Sequence, residues 1–256
     1  MKIIVLVKQV PDTEEERRLD PATGRLDRDA SESVADEINE RALEVALRYK
    51  DGNKGSEVVV LTVGPASAAQ ALRKALSMGA DSAVHVVDDR LEGADIAMTA
   101  AVLAAAVQRT GFDLVVAGNE STDGRGGVVP AMVAEHLGLP LLSSLNTVTL
   151  TAGTVAGEVS VEAGSLAVSA TLPAIVSVTE RAAEARFPNF KGIMTAKRKP
   201  LVTLSLADLG LDPVAGGAST VLTLSERPAR TAGKKIVDDG TAAHELAEFL
   251  VAGRLV

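Results

Sequence analysis

An unbroken run of β-branched and leucine residues, Ile3 to Val7, opens the chain. A strand that is apolar on both faces must be buried on both, as is a central strand of a parallel sheet covered by helices on each side. Further strands are read at Val58 to Val63, Ala83 to Val87 and Asp113 to Ala117. Between these runs lie helical stripes: Ala42 to Tyr49 stopping at Asp51-Gly52, Ala68 to Met78 closed by Gly79, Ala94 to Gln108 ending before Gly111, and Val128 to His136 closed by Gly138. Strand and helix in alternation predict right-handed βαβ units and an α/β, doubly wound, mostly parallel sheet. Ligands of such sheets sit at the carboxyl ends of the strands where chain order reverses, which directs attention to the loops after Val7, Val63 and Ala117. From Ser144 to Val178 shorter alternating segments (147–150, 155–161, 166–170 and 174–178) predict antiparallel strands added to that sheet. Residues 180–200 read as an exposed loop. The remaining tail is Gly- and Pro-spaced, with a last helix from about Thr241 to Ala252; so weakly apolar a tail is expected to lie on a partner.

Composition narrows the function classes. Hydrophobic residues make up 46% of 256 positions but aromatics only 2%, so the core must be built from Ala, Val, Leu and Ile. A net charge of -8 argues against nucleic acid as a partner. The absence of Cys removes disulfides, thiolate catalysis and Cys-held metal centres, and three scattered His (His85, His136 and His244) make a His-built metal site a poor expectation. The N-terminal run ends at Lys8 and Pro11 without a small-residue cleavage site, so it reads as a strand rather than a signal peptide. The Ala-rich stretch from about 94 to 107 falls short of the ~20 residues of a membrane span. A cytoplasmic protein without membrane insertion is expected.

The stretch most capable of chemistry is Gly118-Asn119-Glu120-Ser121-Thr122-Asp123-Gly124-Arg125-Gly126-Gly127-Val128-Val129, between a buried strand and a helix. Its glycines would let backbone N–H groups approach an anion, the helix start adds partial positive charge, and Arg125 could neutralise a phosphate. It matches neither G-x-G-x-x-G nor the Walker loop, and an ordinary strand-to-helix turn reads equally well. Ahead of the first helix, Asp36-Glu37-Ile38-Asn39 offers an N-cap at Asp36, or a base- or ribose-reading group at Asn39. The carboxylates Asp12, Glu120 and Asp123 have no accompanying nucleophile, so hydrolysis is not expected. Phe187, Phe190, Ile193 and Met194 beside Lys197-Arg198-Lys199 suit either a solvated loop or docking to a partner.

Taken in order, Lys2 to Pro11, Glu37 to Lys50, Leu61 to Pro65, Ala75 to Asp81, the Gly118 loop, Leu172 to Val178, Gly192 to Lys199 and Arg230 to Lys235 resemble the β (small) subunit of the electron-transfer flavoproteins nearly end to end. The resemblance implies a fold of the adenine-nucleotide-binding type over 1–200 and a C-terminal arm, 201–256, packing on an α subunit that carries FAD. It implies AMP in this chain, contacted by Leu6, Asp36 to Asn39, Val63 and Gly118 to Val129, with the phosphate against Asp123 to Gly127. It also implies a partner-recognition loop at about 181–199 with Phe190 as its inserting side chain. Electrons would come from acyl-CoA dehydrogenases and related flavoprotein dehydrogenases and leave to a quinone oxidoreductase, this chain doing no chemistry itself. Many relatives have a longer D-G-D-T-x-Q-V-G-P loop; this one lacks the Gln and one residue. Thr13 and Ile38 stand where some relatives carry aromatics near the flavin. Two alternatives remain: a bifurcating form with a second FAD in this pocket and NADH oxidation, which the shortened loop disfavours, and a homodimeric nucleotide-binding sensor, which would leave 180–256 without a purpose.

Overall fold

The computed structural model describes residues 1–212, 221–229 and 232–256. The expected tail features at Pro213, Gly216 and Gly217, and Arg230 and Thr231 of the Arg230–Lys235 motif, lie outside the described residues.

The described chain separates into two units, Met1–Val221 and Leu222–Val256. In the first, β1 (Lys2–Leu6) pairs in parallel with β4 (Glu57–Val63) on one side and β6 (Leu114–Gly118) on the other. Together with β5 (Ser82–Val86), β7 (Leu141–Leu145), β11 (Ala174–Val178) and β12 (Leu201–Leu204) they form a parallel seven-stranded sheet of order β12-β5-β4-β1-β6-β11-β7. The chain builds outward from β1 through β4 and β5, then returns to β1's other side, so the order reverses between β1 and β6. Alternation along β1 splits the core: Ile3 and Val5 face α1 (Glu37–Gly52) and α2 (Ala69–Met78) through Leu43, Leu47, Leu72 and Leu76. Ile4 and Leu6 face α3 (Ile96–Thr110) and α4 (Val129–Leu137) through Val102, Val107 and Val133. The chain is thus α/β and doubly wound, as its β-branched runs predict.

Three expectations are corrected. Residues 174–178 are not an added antiparallel strand; β11 is parallel, fully buried and seated between β6 and β7. All five of its side chains are buried, which is the property of a central parallel strand. The antiparallel strands β8 (Thr147–Leu150), β9 (Thr154–Val161) and β10 (Gly164–Thr171) do not extend the main sheet but form their own three-stranded sheet. Parallel neighbours cannot be joined by a tight turn, and this meander serves as the crossover from β7 to β11 that a helix supplies elsewhere. Residues 201–204, expected within the C-terminal arm, form the edge strand β12 against β5. A short antiparallel pair, β2 (Gln9–Pro11) with β3 (Ser33–Ala35), forms the base of the polar segment between them. The second unit contains α6 (Ala242–Ala252). No helix among the described residues is long and apolar enough to cross a membrane.

Candidate functional site

Leu6, Val63 and Gly118 close the three adjacent strands β1, β4 and β6 at their carboxyl ends. The loop that follows Gly118 is held there by a buried carboxylate. Asp36 Oδ1 caps α1 by accepting from the backbone N–H groups of Ile38 (3.0 Å) and Asn39 (3.3 Å). Its Oδ2 accepts from Thr122 N (2.7 Å) and Thr122 Oγ1 (2.9 Å), so one fully buried side chain fixes both the helix start and the loop. Asn39 Oδ1 accepts from Lys8 N at 2.7 Å, which ties the helix to the chain leaving β1. A Cβ at position 118 would stand 2.6 Å from Asn39 Nδ2 and 3.0 Å from Ile38 Cγ2; only Gly lets β6 approach α1 this closely.

Farther along the loop, Asp123 turns inward. Its carboxylate pairs with Lys8 Nζ at 2.7 Å and Arg28 Nη2 at 2.9 Å and its side chain is 1% exposed. Burial alone would push this carboxyl up; the hydrogen bonds from Lys8 and Ser121 and the charges of Lys8 and Arg28 outweigh burial and hold it well below the usual range. Lys8 Nζ also reaches Ser121 Oγ at 3.1 Å. Residues 124–128 remain exposed. Arg125 sits there with φ 47°, a left-handed conformation unusual for a non-glycine residue and of the kind that collects at ligand-binding loops. Its N–H donates to Ser121 O at 2.9 Å, and Val129 begins α4. Asn119 N donates to Val178 O, but Asn119 Oδ1 is buried with no hydrogen-bond partner among the described residues. Glu37, exposed at the start of α1, accepts from Thr13 Oγ1 at 3.0 Å; Glu120 is half-buried. The expected site residues are therefore gathered around one edge, that of the switch between β1 and β6.

Sequence reasoning missed the segment that covers this edge. Residues 12–32 form a strap, paired at its base through β2 and β3 and at its tip by a Leu19–Leu26 bridge. From the strap, Arg28 reaches Asp123 and Arg17 Nη1 donates to Thr122 O. Lys8, Arg17 and Arg28 were legible only as charge following the carboxyl end of the first strand.

The other expected residues gather elsewhere. Phe187 and Phe190 are 93% and 80% exposed, with Ile193 and Met194 also exposed. The segment 180–200 is not simply loop, because Phe190–Ala196 form a short helix, α5, capped by Asn189 Oδ1 accepting from Gly192 N at 2.7 Å. Gly192 packs on α2, where a Cβ would meet Ser77 O at 2.1 Å. Arg73 Nη1 donates to Ala196 O and Lys199 O. Lys199, expected in a solvated or partner-facing basic cluster, instead turns its Nζ to Leu76 O (2.8 Å) and Ala80 O (2.6 Å) at the end of α2. Burial there pulls its pKa down. Arg186 bonds Glu44 Oε2 at 2.6 Å and Asp51 Oδ2 at 2.8 Å, fastening the preceding stretch to α1.

Residues 23–209 match the family described as the Electron transfer flavoprotein domain. Over 99% of both chains the sequence is 49% identical to the electron transfer flavoprotein subunit beta of Mycobacterium leprae (strain TN), and 48% identical to that of Mycobacterium bovis. It is also 34% identical, over 98% of this chain and 97% of the relative, to the caffeyl-CoA reductase-Etf complex subunit CarD of Acetobacterium woodii.

Proposed function

The chain belongs to the electron transfer flavoprotein family as one of its β subunits, and on that premise we propose that it binds AMP structurally in the 118–129 loop. In this reading it supports an FAD carried mainly by the α subunit of a cytoplasmic heterodimer. That FAD, able to take up and release electrons singly or in pairs, shuttles them from acyl-CoA dehydrogenases and related flavoprotein dehydrogenases to a quinone oxidoreductase. The chain itself is a carrier subunit rather than an enzyme.

The observation that carries the nucleotide reading is the loop's construction at the switch between β1 and β6. Asp36 and the Lys8–Asp123–Arg28 group brace one half of it from below, and the N–H groups of Gly124 and Arg125 bond within the loop, while Gly126 and Gly127 lie exposed beside the start of α4. The backbone N–H groups of Gly126 and Gly127 suit the phosphate, and the buried, unpaired Asn119 Oδ1 suits a hydroxyl or amino donor of the nucleoside. The exposed Phe187, Phe190, Ile193 and Met194 support the role of 181–199 as the dehydrogenase-binding loop.

A relative named as a subunit of a caffeyl-CoA reductase-Etf complex favours a second reading, in which the pocket holds a second FAD and NADH is oxidised. Co-expression with the α subunit, denaturation of the purified complex and chromatography of what is released separate the two. One FAD and one AMP per heterodimer is the expected result. Two FAD without AMP would overturn it in favour of the bifurcating form, and no adenine compound beyond one FAD would overturn both.

A further inference from the structure

Three cations approach the 118–129 loop, and two are engaged with its own carboxylate: Lys8 and Arg28 both pair with the buried Asp123. Arg17 is different. Its Nη1 donates to Thr122 O, but its Nε and Nη2 are buried and have no hydrogen-bond partner among the described residues. A guanidinium stays charged at every accessible pH, so two of its donors held out of water without an acceptor are a standing cost unless something absent from the chain accepts from them. Nε and Nη2 form the side-on edge of the guanidinium, the pair of parallel donors that matches two oxygens of one phosphate or carboxylate. Three residues before Thr122 on the same loop, Asn119 Oδ1 presents the opposite shortage, a buried acceptor without a donor. A ligand that satisfies both must bring an anionic oxygen pair together with a hydroxyl or amino group. A nucleoside phosphate has both, on groups far enough apart to reach the two side chains separately.

We propose that Arg17, delivered by the 12–32 strap, clamps the phosphate of the adenine nucleotide through its Nε and Nη2 edge, while Asn119 Oδ1 accepts from the nucleoside. The proposal rests on the nucleotide reading above and adds to it a side-chain phosphate ligand outside the glycine-rich loop. It also assigns the strap a purpose: Arg17 closes over the loop with the nucleotide beneath it.

The test uses the full-length chain in complex with its α subunit, freed of bound nucleotide by dialysis, with AMP and adenosine as probes in equilibrium binding. For Arg17→Gln the expected result is AMP affinity lower by about tenfold or more, the size of a lost charge-assisted pair, with adenosine affinity unchanged. Arg17→Lys, which keeps the charge but not the fork, should recover only part of the loss. Equal weakening of AMP and adenosine would mean that Arg17 merely holds the strap, and unchanged AMP affinity would mean that it does not touch the phosphate; either overturns the clamp while leaving the nucleotide reading standing. A wild-type complex that binds neither probe overturns the nucleotide reading itself, and the clamp with it.

Discussion

At Asp123 the loop contains its own counter-charge, and this has a measurable pH signature. The carboxyl is held below its ordinary value, so its contribution to stability is complete above the unfolded value of about 3.9 and is lost as pH falls through the folded one. Asp123→Asn should cost about 1–2 kcal/mol at neutral pH, since Lys8 and Arg28 are partly solvated and each loses only a charge-assisted bond. Thermal unfolding of the two proteins should differ by a constant amount from pH 7 down to about pH 5, and the gap should narrow only as pH falls below about 4 toward the depressed folded value; a gap that does not narrow at all in acid would show that the carboxylate is not the source. Some of this scale was legible in the sequence. An Asp just before an apolar helical stripe announces a cap, and Asp36 is one. Its second bond, to Thr122, spans 86 positions and has no local signal. Arg17 and Arg28 were hidden for the same reason, lying in a polar segment whose position over the loop is set by the β2–β3 pairing.

Among the elements, the parallel strands were readable wherever burial on both faces left an unbroken apolar run, as in β1 and β4. Edge strands were not: β7 reads Leu-Leu-Ser-Ser-Leu because only part of it is covered, and β12 lies at the opposite edge of the sheet. The helix α5 was taken for loop because seven residues including a glycine are too few to nucleate a helix alone. Its support comes from α2, through Arg73, Lys199 and the close seat of Gly192. That support makes α5 testable in two ways. Phe190→Ala should weaken dehydrogenase docking by about 2 kcal/mol, close to thirtyfold, while leaving the FAD content of the complex unchanged. Gly192→Ala should do similar damage without touching an exposed side chain, because the new methyl group forces α5 away from Ser77. Stopped-flow reduction of the complex by a reduced dehydrogenase measures both, and wild-type rates in Phe190→Ala would remove this surface from the docking role.

The whole chain divides unevenly, into a large α/β unit and a short second unit of residues 222–256. Within the latter, α6 exposes Leu246, Phe249 and Val251, followed by Leu255 and Val256. We propose that the α subunit covers this apolar surface. A chain ended after residue 221 should retain a cooperative melt and AMP binding but fail to co-purify with the α subunit; retention of the α subunit would move that interface to the larger unit. The expectation of a partner rests on the tail's weak hydropathy, whereas the boundary had no such signal, since β12 belongs by pairing to the sheet although it follows the loop-like region.

The fastenings of α5 described above all run to α2, and among the described residues none runs to the 118–129 loop. On the roles proposed above, recognition and pocket are separately heritable: a lineage can change the tenant of the pocket by editing one loop while its electron donors continue to meet the same patch. In such a family a conserved docking surface says little about which nucleotide lies inside, and descent has to be read from the two regions independently.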